Sequence, residues 1–117
     1  MSAPTDAEVF GGWAMWLNAS GAPWGSGPWN IGSIYYTPEP PTGAVKRAAL
    51  AAAGCRSIAA RRRADAARAS SASLCDVWRG TAIGERLARL ARDHERSADA
   101  MEARAIEIEA WAAEVVA

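Results

Sequence analysis

The feature that most constrains this chain is a single interruption, Asp76-Val77-Trp78-Arg79-Gly80-Thr81, between two long runs that contain no proline. The first run, 43–77, is rich in Ala and Arg and is broken only by Gly54. The second, 81–117, has only Gly84 near its start. Glycine takes the left-handed conformation without a steric penalty, so Gly80 reads as a helix stop. Thr81 reads as the N-cap of the second helix, with Gly84 and Glu85 in its first turn. The expected fold is all-α: a long antiparallel helical hairpin with helices over 43–77 and 81–117 and a turn at 78–81. Each helix would be roughly 35 residues and ~50 Å long. Two helices bury one stripe each, so a lone hairpin is marginal unless something covers it.

Residues 1–41 form a compositionally different arm. All six prolines and six of the ten glycines lie there, with Phe10, Trp13, Trp16, Trp24, Trp29, Tyr35 and Tyr36. A short helix is expected over 7–17, capped by Thr5 or Asp6, which clusters Val9, Phe10, Trp13, Trp16 and Leu17 at helical spacing. Ser20 to Thr42 reads as loop, and Glu39-Pro40-Pro41 as a stiff extended spacer. A ligand platform would want convergent polar groups near the tryptophans, and few are available. The arm is therefore expected to pack on the hairpin, with Phe10, Trp13, Trp16, Trp24 and Trp29 as its contacts.

Both long helices carry narrow seams. In the first, steps of four and three give Ala48, Ala52, Cys55, Ala59, Arg62, Ala66, Ala69 and Ser73, small except for Arg62. In the second, Leu87, His94, Met101, Ile108 and Val115 recur every seven residues, interleaved with Ala91, Ala98, Ala105 and Ala112. That is a packing seam of coiled-coil period, narrow enough for a close neighbour. Ile83, Leu90 and Trp111 form a flanking stripe, which points to contact with something beyond the first long helix. A homo- or hetero-oligomer is accordingly expected.

Formal net charge is zero, so bulk electrostatics favour neither nucleic acid nor a membrane surface. The basic half around Arg61–Arg63 and Arg68, level with Arg86, Arg89, Arg92 and Arg96, reads first as a solvated face rather than a nucleic-acid footprint. The acidic far end of the second helix is expected beside Lys46, Arg47 and Arg56. Cys55 and Cys75, both expected on the first helix about 30 Å apart, cannot bridge and read as small buried thiols. His94, the only histidine, would face Asp65 as a core histidine. No nucleophile–base pair, ligand cluster or phosphate loop can be assembled, so neither an enzyme nor a cofactor or metal is expected. No basic segment followed by an apolar run stands at residues 1–30, so a Sec-type leader is not expected, and no window is apolar enough for a membrane span.

Trp78-Arg79-Gly80 has the form W-x-G and stands at the one break between the helices. With the run Leu87, Leu90, Ala91, Ala98, Met101, Ala105, Ile108, Ala112 behind it, residues 44–117 resemble the WXG100 (ESAT-6-like) family of small type VII (ESX) secretion substrates. The resemblance implies a hairpin that pairs with itself or a sister hairpin into a four-helix bundle. It also implies synthesis in the cytoplasm and export of the folded pair without a cleaved signal peptide, with Trp78 and Gly80 as the turn implicated in secretion. The arm lies outside the resemblance. The alternative is a cytosolic adaptor or phage-type structural subunit that docks through that arm.

Overall fold

The computed structural model describes residues 2–19 and 43–116, with side chains for 2–15 and 43–116. Apart from residues 2–5, the bend at 43 and the turn at 74–81, these are helical: α1 (Asp6–Ala19), α2 (Ala44–Ser73) and α3 (Ala82–Val116). The chain divides into two compact units, Met1–Cys55 with Arg104–Ala117, and Arg56–Ala103. Segments of α2 and α3 contribute to each. The loop and spacer expected over 20–42, with Trp24 and Trp29, and the side chain of Trp16 lie outside the described residues.

In the first unit α1 begins with a reciprocal cap. The Thr5 hydroxyl accepts from the Glu8 amide (3.2 Å), and the Glu8 carboxylate accepts from the Thr5 amide (2.8 Å). Thr5-Asp6-Ala7-Glu8 is thus a capping box, which satisfies two of the amides that a helix start leaves without intrahelical partners. The helix runs two residues beyond the expected end at 17. Its buried face holds Val9 and Trp13, which join Ala48, Ala51, Ala52 and Cys55 of α2 and Ala105 and Ile108 of α3 among the buried side chains. Phe10 is not covered: it is 49% exposed, its ring edge-on to Trp13 at 6.2 Å. The approach of α1 to α2 is set by glycine. A Cβ on Gly12 would lie 1.5 Å from the Leu50 carbonyl oxygen, and one on Gly54 would lie 2.7 Å from the Gly12 nitrogen. Gly54 is therefore a contact point between backbones rather than a flaw in a helix.

In the second unit every buried side chain is an alanine: Ala59, Ala66 and Ala69 from α2, Ala91 and Ala98 from α3. The small seam of α2 is buried at each alanine expected, and Arg62 is exposed. α2 stops at Ser73, four residues short of the expected end at 77. The Ser73 hydroxyl donates to the Ser70 carbonyl (2.7 Å), the kind of local bond by which serine competes with helix continuation. The next amides, of Leu74 and Cys75, reach back only three residues, to Ser71 and Ala72, as in a tightened last turn. Cys75 consequently lies in the turn, half-buried, and not on the helix; neither cysteine is in a disulfide, and Cys55 is the buried one of the two.

Candidate functional site

Residues 74–81 form the turn at which the W-x-G string stands. Arg79 folds back so that its guanidinium donates twice to the Leu74 carbonyl (3.1 and 2.9 Å), and its amide donates to the Cys75 carbonyl (2.9 Å). Its more distant approach to Asp76, at 3.8 Å, is exposed on both sides. Gly80 has a φ of +74° with nothing near its missing side chain, so it is there for its backbone conformation alone. It does not end α2, as expected from its chemistry, but sets up the start of α3. Thr81 then accepts from the Gly84 amide through its hydroxyl (3.1 Å), acting as the expected N-cap, and donates from that hydroxyl to the Trp78 carbonyl (2.6 Å). A Cβ on Gly84 would sit 2.2 Å from the same Trp78 oxygen, so Gly84 lets the helix start close against the turn. Trp78 remains 37% exposed.

Of the seam on α3, Ala91, Ala98, Ala105 and Ile108 are buried by the chain itself. Leu87, His94, Met101 and Ala112 are half-buried, and Val115 is 52% exposed. Asp65, expected across from His94, is paired with Arg68 on its own helix. Arg63 carries the link between the segments of the second unit. It reaches Glu102 (2.9 Å), Glu95 (3.1 Å) and Asp99 (3.1 Å), which raises its pKa, through Glu102 first and then Asp99. Asp93 pairs with Arg96.

In the first unit the corresponding tie is Arg104, and spacing along the chain gave no sign of it. Its guanidinium meets the Glu8 carboxylate in two bonds, Nε to Oε1 at 2.7 Å and Nη2 to Oε2 at 3.0 Å. It also donates to Ser2 Oγ, the Ala3 carbonyl and Glu107. Both side chains are largely covered, at 17% and 22% exposure. The guanidinium hydrogen bond holds the Glu8 carboxyl below its ordinary value, against the raising effect of burial and with further help from the Thr5 amide and hydroxyl. Arg47, for which the acidic end of the second helix was the expected neighbour, pairs with Asp6 at 2.6 Å.

A shallow groove of 690 Å³ lies within the second unit, lined by Ala66, Ala67, Ser70, Ala88, Ala91, Arg92, Glu95 and Arg96. Alanine walls and a rim of guanidinium groups suit a surface contact, and the groove sets no acid opposite a base for proton transfer. Among the described residues no three His, Cys, Asp or Glu side chains converge as a metal site would require. Nor is any described helix long and apolar enough to cross a membrane. No family model, curated protein or solved structure matches the chain.

Proposed function

We propose that the chain is a non-enzymatic helical-hairpin protein that acts by pairing with another hairpin in a four-helix bundle, in the manner of small type VII secretion substrates. In this reading α2 and α3 form one long antiparallel hairpin turned at Trp78-Arg79-Gly80, and the N-terminal arm packs on it. The pair is made in the cytoplasm and leaves the cell folded, without a cleaved signal peptide.

One observation carries the pairing. The Arg56–Ala103 unit buries nothing larger than alanine, yet leaves Ile58, Leu74, Val77, Ile83 and Leu90 between 38% and 69% exposed. Burying a Val, Leu or Ile side chain contributes roughly 1.5–3 kcal/mol, and an alanine methyl far less. A segment that withholds its large apolar groups from its own core has them available for another chain. The burial of Val9 and Trp13 supports the self-covering role of the arm over the adaptor reading, which needs those residues free.

Size-exclusion chromatography with light scattering tests the reading, on the chain alone and mixed with each small helical protein encoded beside it. A stoichiometric complex is expected. A helical monomer that ignores every such neighbour overturns it.

A further inference from the structure

On α3, Ile83, Leu87, Leu90, His94 and Met101 occur at steps of four, three, four and seven, which keeps them on one helix face. Ile83 and Leu90 are each 45% exposed, and the other three half-buried. Arg86 lies three residues after Ile83 and four before Leu90, and Arg89 three after Arg86, so a basic stripe borders the apolar one. The Arg56–Ala103 unit holds ten arginines against seven carboxylates. Six of its seven carboxylates are drawn into pairs with Arg63, Arg68, Arg79 and Arg96, and Glu85 makes no ion pair among the described residues. Arg61, Arg62, Arg86 and Arg89 are exposed and make no ion pair among the described residues.

We propose that this face of α3 takes an acidic amphipathic helix from a different protein, with apolar side chains on Ile83 and Leu90 and carboxylates on Arg86 and Arg89. The inference rests on the pairing reading for the helical nature of the partner and adds its charge and its seat. The first unit holds a helix of that chemistry already. α1 brings Asp6 and Glu8 to Arg47 and Arg104 while Val9 and Trp13 enter the apolar interior. A second copy of the chain is a poor occupant. Its Arg56–Ala103 unit would bring the same excess of arginine, and in its other unit Asp6, Glu8 and Glu107 are already paired with arginines, which leaves Glu114 as an exposed carboxylate without an ion pair among the described residues. Unlike charges across a contact favour the right partner, and like charges reject the wrong one.

The test uses the full chain and two synthetic amphipathic helices of roughly 20 residues, long enough to hold helical structure. They share one Leu/Ile face and differ in flanks of Glu or of Lys; binding is read by fluorescence anisotropy. The Glu helix is expected to bind, more weakly as salt rises, and the Lys helix is not. The double variant Arg86→Glu/Arg89→Glu, checked for unchanged helicity by circular dichroism, should weaken the Glu helix on the order of tenfold and admit the Lys helix. Leu90→Ser should weaken the Glu helix on the unaltered chain and the Lys helix on the charge-reversed one. Equal binding of the two helices, binding of neither, or a preference untouched by the charge reversal overturns the inference. So does a chain that dimerises alone through this face, with Leu90→Ser returning it to monomer. If a neighbouring hairpin still co-elutes with the charge-reversed chain, the seat is wrong and the pairing reading stands; loss of co-elution for the unaltered chain removes the pairing reading itself.

Discussion

The two units are built from segments of the same two long helices and solve the problem of a small core differently. Met1–Cys55 with Arg104–Ala117 has a third helix. Around it lie Val9, Trp13, Cys55 and Ile108, all at or below 6% exposure, and a covered two-point bond between Arg104 and Glu8. Arg56–Ala103 has two helical segments, an interior of alanines and ion pairs at the surface. Alanine seams bring backbones close but bury little area, so they set geometry more than stability. The large apolar side chains of the second unit lie to the side of its seam. The difference teaches that a small-residue seam becomes a core only when a further helix closes over its flank.

The largest expected effect breaks the first unit alone. Gly12→Ala would put a methyl carbon 1.5 Å from the Leu50 carbonyl oxygen, an overlap with backbone that no rotamer relieves. α1 must shift off α2, at an expected cost of ~3 kcal/mol. Hydrogen exchange should speed at residues 6–15 while amides 84–98 keep their protection. Equal loss of protection in both would mean that the units do not respond separately.

Gly84→Ala is the matching substitution in the second unit. Its Cβ would stand 2.2 Å from the Trp78 carbonyl oxygen, so the start of α3 must move away from the turn, at about 2 kcal/mol. Its fingerprint is the reverse of the first: faster exchange at 82–90 and unchanged protection at 6–15.

These two sites also mark how far the sequence could be read. Absence of proline over 43–117, the periodic alanines and the Thr81 cap are local or repeating signals, and they announce the long helices and their seams. The crossing of Gly12 on Gly54 joins residues 42 positions apart, and the bond of Arg104 to Glu8 joins residues 96 apart. No periodicity encodes such pairs, although a glycine inside each helical run was a hint of close approach. Thr5-Asp6-Ala7-Glu8 was a legible capping box. The early stop of α2 goes with the Ser73 hydroxyl bonding the Ser70 carbonyl, a competition with the backbone that is decided by geometry rather than by residue type. The turn residues Trp78 and Gly80 were legible as a break, whereas the double bond from Arg79 to Leu74, which holds that break, was not.

A smaller effect is expected from Arg104→Met, which keeps much of the side-chain volume and removes the guanidinium. Charge-assisted hydrogen bonds to Glu8 contribute roughly 1.5–3 kcal/mol, and part of that is regained because water reaches the carboxylate. The pH dependence gives the sharper test. The Glu8 carboxyl has a lowered folded value, so its contribution is complete above the ordinary carboxylate value of roughly 4.3 and is lost as pH falls through the lower folded one. With Glu8 and Arg104 intact the protein should therefore release α1 across that acid window, reported by Trp13 emission in a background whose other tryptophans are replaced. Glu8→Gln and Arg104→Met should flatten the same transition, and a transition of unchanged depth in both would assign the acid sensitivity to another carboxyl.

Thr81→Ala probes the weakest tie. It removes the acceptor for the Gly84 amide and the hydroxyl bond to the Trp78 carbonyl. N-cap removals cost typically about 1 kcal/mol, and the Trp78 oxygen still receives the Thr81 amide at 3.0 Å. The expected result is a modest fall in melting temperature with faster exchange confined to the first turn of α3. Thr81→Asp should recover most of it, because a carboxylate accepts the same amide and suits the positive end of the helix dipole. If Thr81→Asp fails where Thr81→Ala does, the bond to Trp78 rather than the cap holds the turn, since a carboxylate has no proton to donate there.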